Sequence, residues 1–426
     1  MTWDVEGQLD QIRGEGLWRE LRVIESAQGP VLEHEGRRFL NFSSNDYLGL
    51  ASSPVVKSAF QEGVGRFGAG AGASRLVCGH QRPHADLEAA LAAFKAAEAA
   101  LTFASGYAVP LGTLPALVGP GDTILLDKLS HASLVDGARL SGATLRVFPH
   151  NHLEKLERLL QTAKGRVLVV TESIFSMDGD AAPLREMVEL KDRHGAWLLL
   201  DEAHAVGVLG PQGRGLAAEL GLEDRVELRM GTLSKAFGLS GGYLAASRAV
   251  VDLLINRARS FIYTTAPPPG VAYAALKALE LIQGEEGDRR RAVLRGHVAA
   301  VRAAVEDLAQ SDAGSGSPDP SLRPSPQFLG RGSMTGRPAA PQVLSNRALS
   351  AIIPIILGAE SAALAVSAAL REAGFMVPAI RYPTVARGSA RLRVTLSAAH
   401  EAGQVESLIR HLKGAIPARP GEAACH

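Results

Sequence analysis

Two cysteines, Cys78 and Cys425, are all that a chain of 426 residues contains. They are too few and too far apart for a disulfide framework or a cysteine zinc site. A metal-free protein of a reducing compartment is the expectation. Neither sign of charge dominates, with 45 Lys and Arg against 44 Asp and Glu, a formal net charge of +1. That balance removes any global attraction to nucleic acid or to an anionic membrane. Long apolar runs are missing too. AIIPIIL (351–357) is broken by Pro354 and falls far short of the roughly 18 residues that a membrane-spanning helix needs. The opening MTWDVEGQLDQIR carries acids and no apolar stretch, unlike a secretory signal. The expectation is a cytoplasmic protein. What is present suits a globular core, since 46% of residues are hydrophobic and 21% charged.

Apolar spacing predicts a helix over 8–27, carried by Leu9, Ile12, Leu17, Leu21 and Ile24. A hairpin is expected over 31–42, turning at Glu35-Gly36, and a helix from Pro54 to about Arg66. GAGAGAS (68–74) reads as a loop, and 84–95 as a helix. From 99 to 246 short apolar runs alternate with helical stretches. The expected strands are 99–103, 123–126, 144–148, 167–172, 197–202, 226–231 and 242–246. Such alternation predicts a buried, mostly parallel sheet. The short link between the last two strands hints at one antiparallel member. Helices are expected at 267–284 and 286–310. Residues 311–350 are rich in Ser, Pro and Gly, and disorder or a surface loop is expected there. Strands at 352–357, 375–380 and 391–397 then alternate with helices at 359–373 and 399–414, a small α/β unit.

Three segments carry chemistry. Asp201 ends the apolar run of LLLDEAHAVG (198–207), at the carboxyl end of a strand, where α/β sheets bind ligands. By itself it could simply cap the next helix. Lys235 follows a strand in MGTLSKAFGLSGG (230–242), with Thr232 and Ser234 beside it and glycines after it. Most lysines are surface groups, but hydroxyls and glycines around this one favour an anion-binding turn. In TFASGYAVPLG (102–112), Ser105-Gly106-Tyr107 opens a helix, whose free N–H groups suit phosphate. A phosphate cradle, an acid and a lysine are what pyridoxal phosphate requires. The lysine forms a Schiff base, the carboxylate keeps the pyridine nitrogen protonated, and N–H and hydroxyl groups hold the phosphate.

NFSSNDYLGL (41–50), SRLVCGH (74–80), DKLSHASLVDGARLSGA (127–143), TESIFSMDGD (171–180), DEAHAVGVLGPQGRG (201–215), TLSKAFG (232–238) and IRYPTVARGSARLRVTLSAAH (380–400) resemble the α-oxoamine synthases. These are fold-type-I acyltransferases dependent on pyridoxal 5'-phosphate. The resemblance spans about 15–310 and 350–412. It implies a mostly parallel, mixed seven-stranded sheet in a large α/β domain and a small C-terminal α/β domain. The division implied is an N-terminal arm over 1–45, a cofactor domain over 46–285 and a small domain over 286–426 that contains the 311–350 insert.

Carried across by position, the resemblance makes Lys235 the Schiff-base lysine and Asp201 the partner of the pyridine nitrogen. His131 would stack on the ring, and Ser176 and His204 would lie near its phenolic oxygen. Gly106, Tyr107, Thr232 and Ser234 would surround the phosphate, joined by Thr264 or Thr265 from a second subunit. Arg381 would bind a substrate carboxylate and Thr384 and Arg19 would contact substrate, with Asn45 and Glu172 near the reacting centre. The implied reaction condenses L-alanine with pimeloyl-CoA or a pimeloyl carrier protein, with loss of carbon dioxide and release of the thiol. The implied assembly is a homodimer with shared sites.

Other readings remain at this stage. Glycine C-acetyltransferase shares the chemistry but takes other substrates. Gly238-Leu239-Ser240-Gly241-Gly242 fits the G-x-S-x-G of a serine hydrolase, but a nucleophile elbow needs a strand before it and a helix after it. Gly68-Ala69-Gly70 follows a helix rather than a strand, which argues against a dinucleotide site.

Overall fold

The computed structural model of the protein describes residues 3–15, 17–311 and 350–416. The 311–350 stretch, apart from its two end residues, and Cys425 lie outside the described residues.

Seven strands form the main sheet, in the order Ala99–Phe103, Gly242–Ala246, Leu228–Thr232, Trp197–Asp201, Val167–Glu172, Thr123–Asp127 and Thr144–Phe148. All run parallel except Gly242–Ala246, which is antiparallel to both neighbours. The fold class is the one expected, including its antiparallel member. Side chains alternate across the sheet, so these apolar runs feed two cores. Ile124, Leu126, Leu168, Val170 and Leu199 join one core, while Leu125, Val169, Leu198 and Leu200 join the other. Helices cover each face. Helix Leu153–Gln161, for example, buries Leu156, Leu159 and Leu160, at roughly 1.5–3 kcal/mol for each side chain.

Two three-stranded sheets accompany it. In one, the hairpin Val31–His34 and Arg37–Asn41 is joined in parallel by Phe375–Met376. In the other, Ala390–Thr395 lies between Ile352–Gly358 and Ala379–Ile380. The single strand expected over 375–380 is therefore two short ones in different sheets. Val377-Pro378 separates them, and proline cannot donate to a ladder.

The helix expected over 8–27 is also shorter. Only Val5–Gly14 is helical, and it buries no residue. Gly14 closes it, and Leu21 and Val23 beyond it are exposed. An apolar stripe with nothing to cover it has no packing to hold it helical. Among the described residues no helix is long and apolar enough to cross a membrane.

Candidate active site

The carboxyl ends of five strands converge on one cavity of about 250 Å³. Ser105, Gly106 and Tyr107 follow the first strand, and Glu172 and Asp201 end two others. Thr232 ends a fourth, with Ser234 and Lys235 just after it; His131 and Ser133 follow a fifth. Ala203, His204 and Met230 complete the lining. This is the edge at which a parallel sheet gathers strand-end side chains and helix N-termini. A larger depression of about 670 Å³ lies between helices Pro54–Phe67 and Pro269–Gln283, but it shares none of these residues.

Lys235 is half-buried, with Nζ 2.9 Å from His204 Nε2. On the other side of that ring, Nδ1 lies 2.5 Å from the Tyr47 hydroxyl. Burial holds His204 well below the usual imidazole range, and Lys235, Arg393 and His131 push it the same way. The ring is therefore neutral, able to accept at one nitrogen. Burial also lowers the Lys235 ammonium, while Asp201 and Glu172 resist. Asp201 Oδ1 accepts the Ala203 N–H at 2.9 Å, and burial raises this carboxyl although Lys235 opposes the rise. Glu172 accepts the His131 N–H at 2.6 Å, and burial followed by the Asp201 charge holds it well above the ordinary range. Burial disfavours the charged form of both neighbouring acids, more so at Glu172.

His131 caps helix Ala132–Leu140 through the Ser133 N–H and lines the cavity at the same time. The capping and cavity readings of this residue are compatible. At the other end of the site, Gly106 and Tyr107 open helix Ala108–Leu117, where the first N–H groups have no intrahelical acceptor. Thr232 Oγ1 and Ser234 Oγ lie 2.7 Å apart beside them. A Cβ on Gly106 would stand 3.1 Å from Thr232 Oγ1, so a larger residue would intrude on this cradle.

A family model for aminotransferase class I and II matches residues 37–317 and 342–412. An 8-amino-7-oxononanoate synthase of Anaeromyxobacter dehalogenans is 47% identical over 421 residues, 99% of this chain and 97% of that one. One from Geobacter sulfurreducens is 44% identical, covering 96% and 97%. The chain belongs to the aminotransferase class I and II family, among the 8-amino-7-oxononanoate synthases. Solved structures agree. A serine palmitoyltransferase of Sphingomonas wittichii superposes with TM-score 0.84 at 30% identity, covering 96% of each chain. An 8-amino-7-oxononanoate synthase of Francisella tularensis does so with TM-score 0.70 at 27% identity, covering 88% of this chain and 97% of that one.

The synthases of this family are acyltransferases, and their cofactor, pyridoxal 5'-phosphate, is the cofactor of this chain. The residues present fit it. Anion donors and a glycine cradle stand at one end of the cavity, and a carboxylate and a lysine are within it.

Of the residues singled out in the sequence, Gly106, Tyr107, His131, Glu172, Asp201, His204, Thr232, Ser234 and Lys235 meet on this cavity. Asn45 is two hydrogen bonds from the lining: it accepts from the Tyr47 hydroxyl at 3.2 Å, and that hydroxyl meets His204. Ser176 is not on the lining; its carbonyl accepts from Arg393 Nε at 2.6 Å. Thr264 and Thr265 lie away from this chain's cavity, where Thr265 bridges Ser74. Arg19 and Thr384 are exposed, and Arg381 donates to the Trp18 carbonyl, bringing the N-terminal segment beside the 381–387 loop. Ser240 is exposed on a turn that leads into strand Gly242–Ala246, not into a helix, which removes the elbow a hydrolase would need.

Two residues escaped sequence reasoning. Tyr47 is fully buried against His204 and sits inside the quoted NFSSNDYLGL. Arg393 reads in sequence as one more residue of an alternating strand. In the structure it is buried, held by the Ser176 carbonyl, Thr395 Oγ1 and Asn45 Oδ1. Among the described residues no carboxylate lies within salt-bridge distance of it.

Proposed function

We propose that this chain condenses L-alanine with a pimeloyl thioester, of coenzyme A or of a carrier protein, to give 8-amino-7-oxononanoate, carbon dioxide and the free thiol, a step of biotin synthesis. The observation that carries the reading is the half-buried Lys235, beside neutral His204, on a cavity that also holds Asp201 and an anion cradle. When bound, pyridoxal phosphate supplies an electron sink for the pair released when a bond at the amino-acid Cα breaks. Lys235 would anchor the cofactor covalently, and the Asp201 carboxylate would accept a hydrogen bond from its protonated ring nitrogen. His131 would contact the ring. The N–H groups of Gly106 and Tyr107 and the hydroxyls of Thr232 and Ser234 would hold the phosphate. Ser176, which is off the cavity wall, is assigned to the region of the phenolic oxygen only through its loop.

The free Lys235 Nζ would take the proton from the amino-acid Cα and later return one. Its lowered basicity suits a base near neutral pH. Arg393 is assigned the amino-acid carboxylate, because a buried guanidinium without an acidic partner needs one. It reaches Lys235 through Asn45, Tyr47 and His204. Arg381, Thr384 and Arg19 are assigned to the acyl chain's entrance, which the Arg381 to Trp18 hydrogen bond brings together.

We further infer a homodimer. Thr264 and Thr265 are away from their own cavity, and exposed Val77 and Tyr263 leave apolar surface near them in sequence and space. Sedimentation tests this, and a monomer that retains full turnover contradicts it.

The substrate assignment is tested by turnover with alanine, glycine and serine in turn, each with pimeloyl-CoA. Alanine is expected to be fastest. Faster turnover of glycine with acetyl-CoA would replace this reading with that of a glycine C-acetyltransferase.

A further inference from the structure

Next to Asp201 the chain buries a second lysine and carboxylate that the proposed chemistry does not use. Lys95 ends helix Arg82–Phe94, and its side chain is 1% exposed; Glu202, the residue after Asp201, is 0% exposed. Lys95 Nζ stands 2.6 Å from Glu202 Oε2 and also donates to the Arg214 carbonyl. Glu202 Oε1 accepts the Ala217 N–H at 3.0 Å. The turn is shaped to admit this carboxylate: Gly215 has φ +110°, and a Cβ there would lie 2.4 Å from Glu202 Oε1. Desolvating two charges this completely returns little net stability, so the pair calls for a role beyond holding the fold.

Successive residues of an extended chain point to opposite sides. Asp201 lines the cavity, whereas Glu202 makes its contacts with Lys95 and the 214–217 turn. Two neighbouring carboxylates in a low-dielectric interior cannot both stay charged without a cation, since each disfavours ionisation of the other. We propose that Lys95 is a positioning residue for the cofactor site: its ammonium cancels the charge of Glu202, so that Asp201 keeps the negative charge that the cofactor's ring nitrogen requires. This inference rests on the reading of Asp201 as the ring-nitrogen partner.

The other groups around the pair do not replace Lys95. Glu202 is surrounded by Lys95, Arg229, Tyr243 and Asp201. Arg229 spends an N–H on the Lys95 carbonyl, and Arg214 pairs with Glu223. Among the described residues, Lys95 is the one cation within salt-bridge distance of Glu202. Asp201 is faced by Lys235, His131, Glu172 and Glu202. Burial raises Asp201 first, and Glu202 adds to the rise while Lys235 and the Ala203 N–H oppose it.

The test is the pH dependence of pyridoxal phosphate binding to the full chain, read by absorbance titration across about pH 5 to 9. Affinity falls on the acid side as Asp201 takes up a proton. Lys95→Met leaves Glu202 uncompensated and moves that acid limb up by about one pH unit; Glu202→Gln leaves the ammonium and moves it down by a similar amount. The double variant Lys95→Met/Glu202→Gln returns the limb to its wild-type position, and Lys95→Arg leaves it there. A purely structural role would weaken binding at every pH without moving the limb. That result, or two single variants that shift the limb in the same direction, overturns the proposal. If Lys95→Met does not fold, an unmoved limb in Glu202→Gln overturns it equally. Asp201→Asn separates the two layers: an acid limb that persists in it refutes the role of Asp201 itself, independently of Lys95.

Discussion

Lys235 and Lys95 both contact the turn that begins at Asp201, and they are treated in opposite ways. Lys235 meets His204, opens onto a cavity and has no salt bridge among the described residues. Lys95 meets Glu202 and is sealed from solvent. The same division recurs in two other residue pairs. Arg391 is paired with Asp178 at 2.6 Å, whereas Arg393, two residues on, has no carboxylate. His150 lies between Asp127 and Asp180, at 3.0 and 2.7 Å, whereas His204 is kept neutral. In each pair one group is neutralised and holds segments together. The other is in no salt bridge among the described residues, where the reaction is proposed to occur. For Arg393, leaving a buried charge without an acidic partner is costly, and a bound carboxylate would offset that cost.

The largest expected effect is at Lys235. Lys235→Ala should lower turnover by about 10⁴-fold without a loss of stability in urea unfolding, since it breaks no salt bridge among the described residues. Lys95→Met should do the converse in equilibrium unfolding, costing about 3–5 kcal/mol because Glu202 is left buried and alone. Adding Glu202→Gln should recover most of that loss.

The arginines sharpen the same contrast. Arg393→Met should raise the KM for the amino acid by about 10- to 100-fold, the worth of a charged hydrogen bond. Arg391→Met should leave that KM within about threefold and instead destabilise the fold by about 1–3 kcal/mol. Equal effects of the two on KM would break the comparison.

The smallest expected effect is at His150. Burial works against its imidazolium, but hydrogen bonds to Asp127 and Asp180 more than offset this, and its pKa is pushed up to about 10. The unfolded value is about 6.5, so the stabilisation is fully present below that pH and disappears as pH rises through about 10. His150→Gln should cost about 2 kcal/mol at pH 6 and progressively less towards pH 10. A cost independent of pH would mean that the charge is not what matters.

Much of this was legible in the chain. The strands at 99–103, 144–148, 167–172 and 242–246 have the expected bounds, because short runs rich in apolar residues between turn signals read as strands whether they pair in parallel or not. The cavity residues were legible because each follows directly from the end of such a strand. Arg393 was not, since its signal is a missing acidic partner, and partners in space are not adjacent in sequence. The Lys95 and Glu202 pair, 107 residues apart, was hidden for the same reason. The helix expected over 8–27 shows the limit of periodicity, since an apolar face predicts a helix only where something packs on it. In FMVPAI the apolar run was visible, but one end pairs with Leu40 and the other with Leu392, a change of sheet that no local pattern carries.

The central claim is that Lys235, which opens onto the cavity and is in no salt bridge among the described residues, is where the cofactor is anchored. Borohydride reduction of the full chain loaded with pyridoxal phosphate, followed by peptide mass mapping, tests it directly. The account predicts a single pyridoxyl label on Lys235, absent from Lys235→Ala. A label on Lys95 or another lysine, or no label at all, would contradict it.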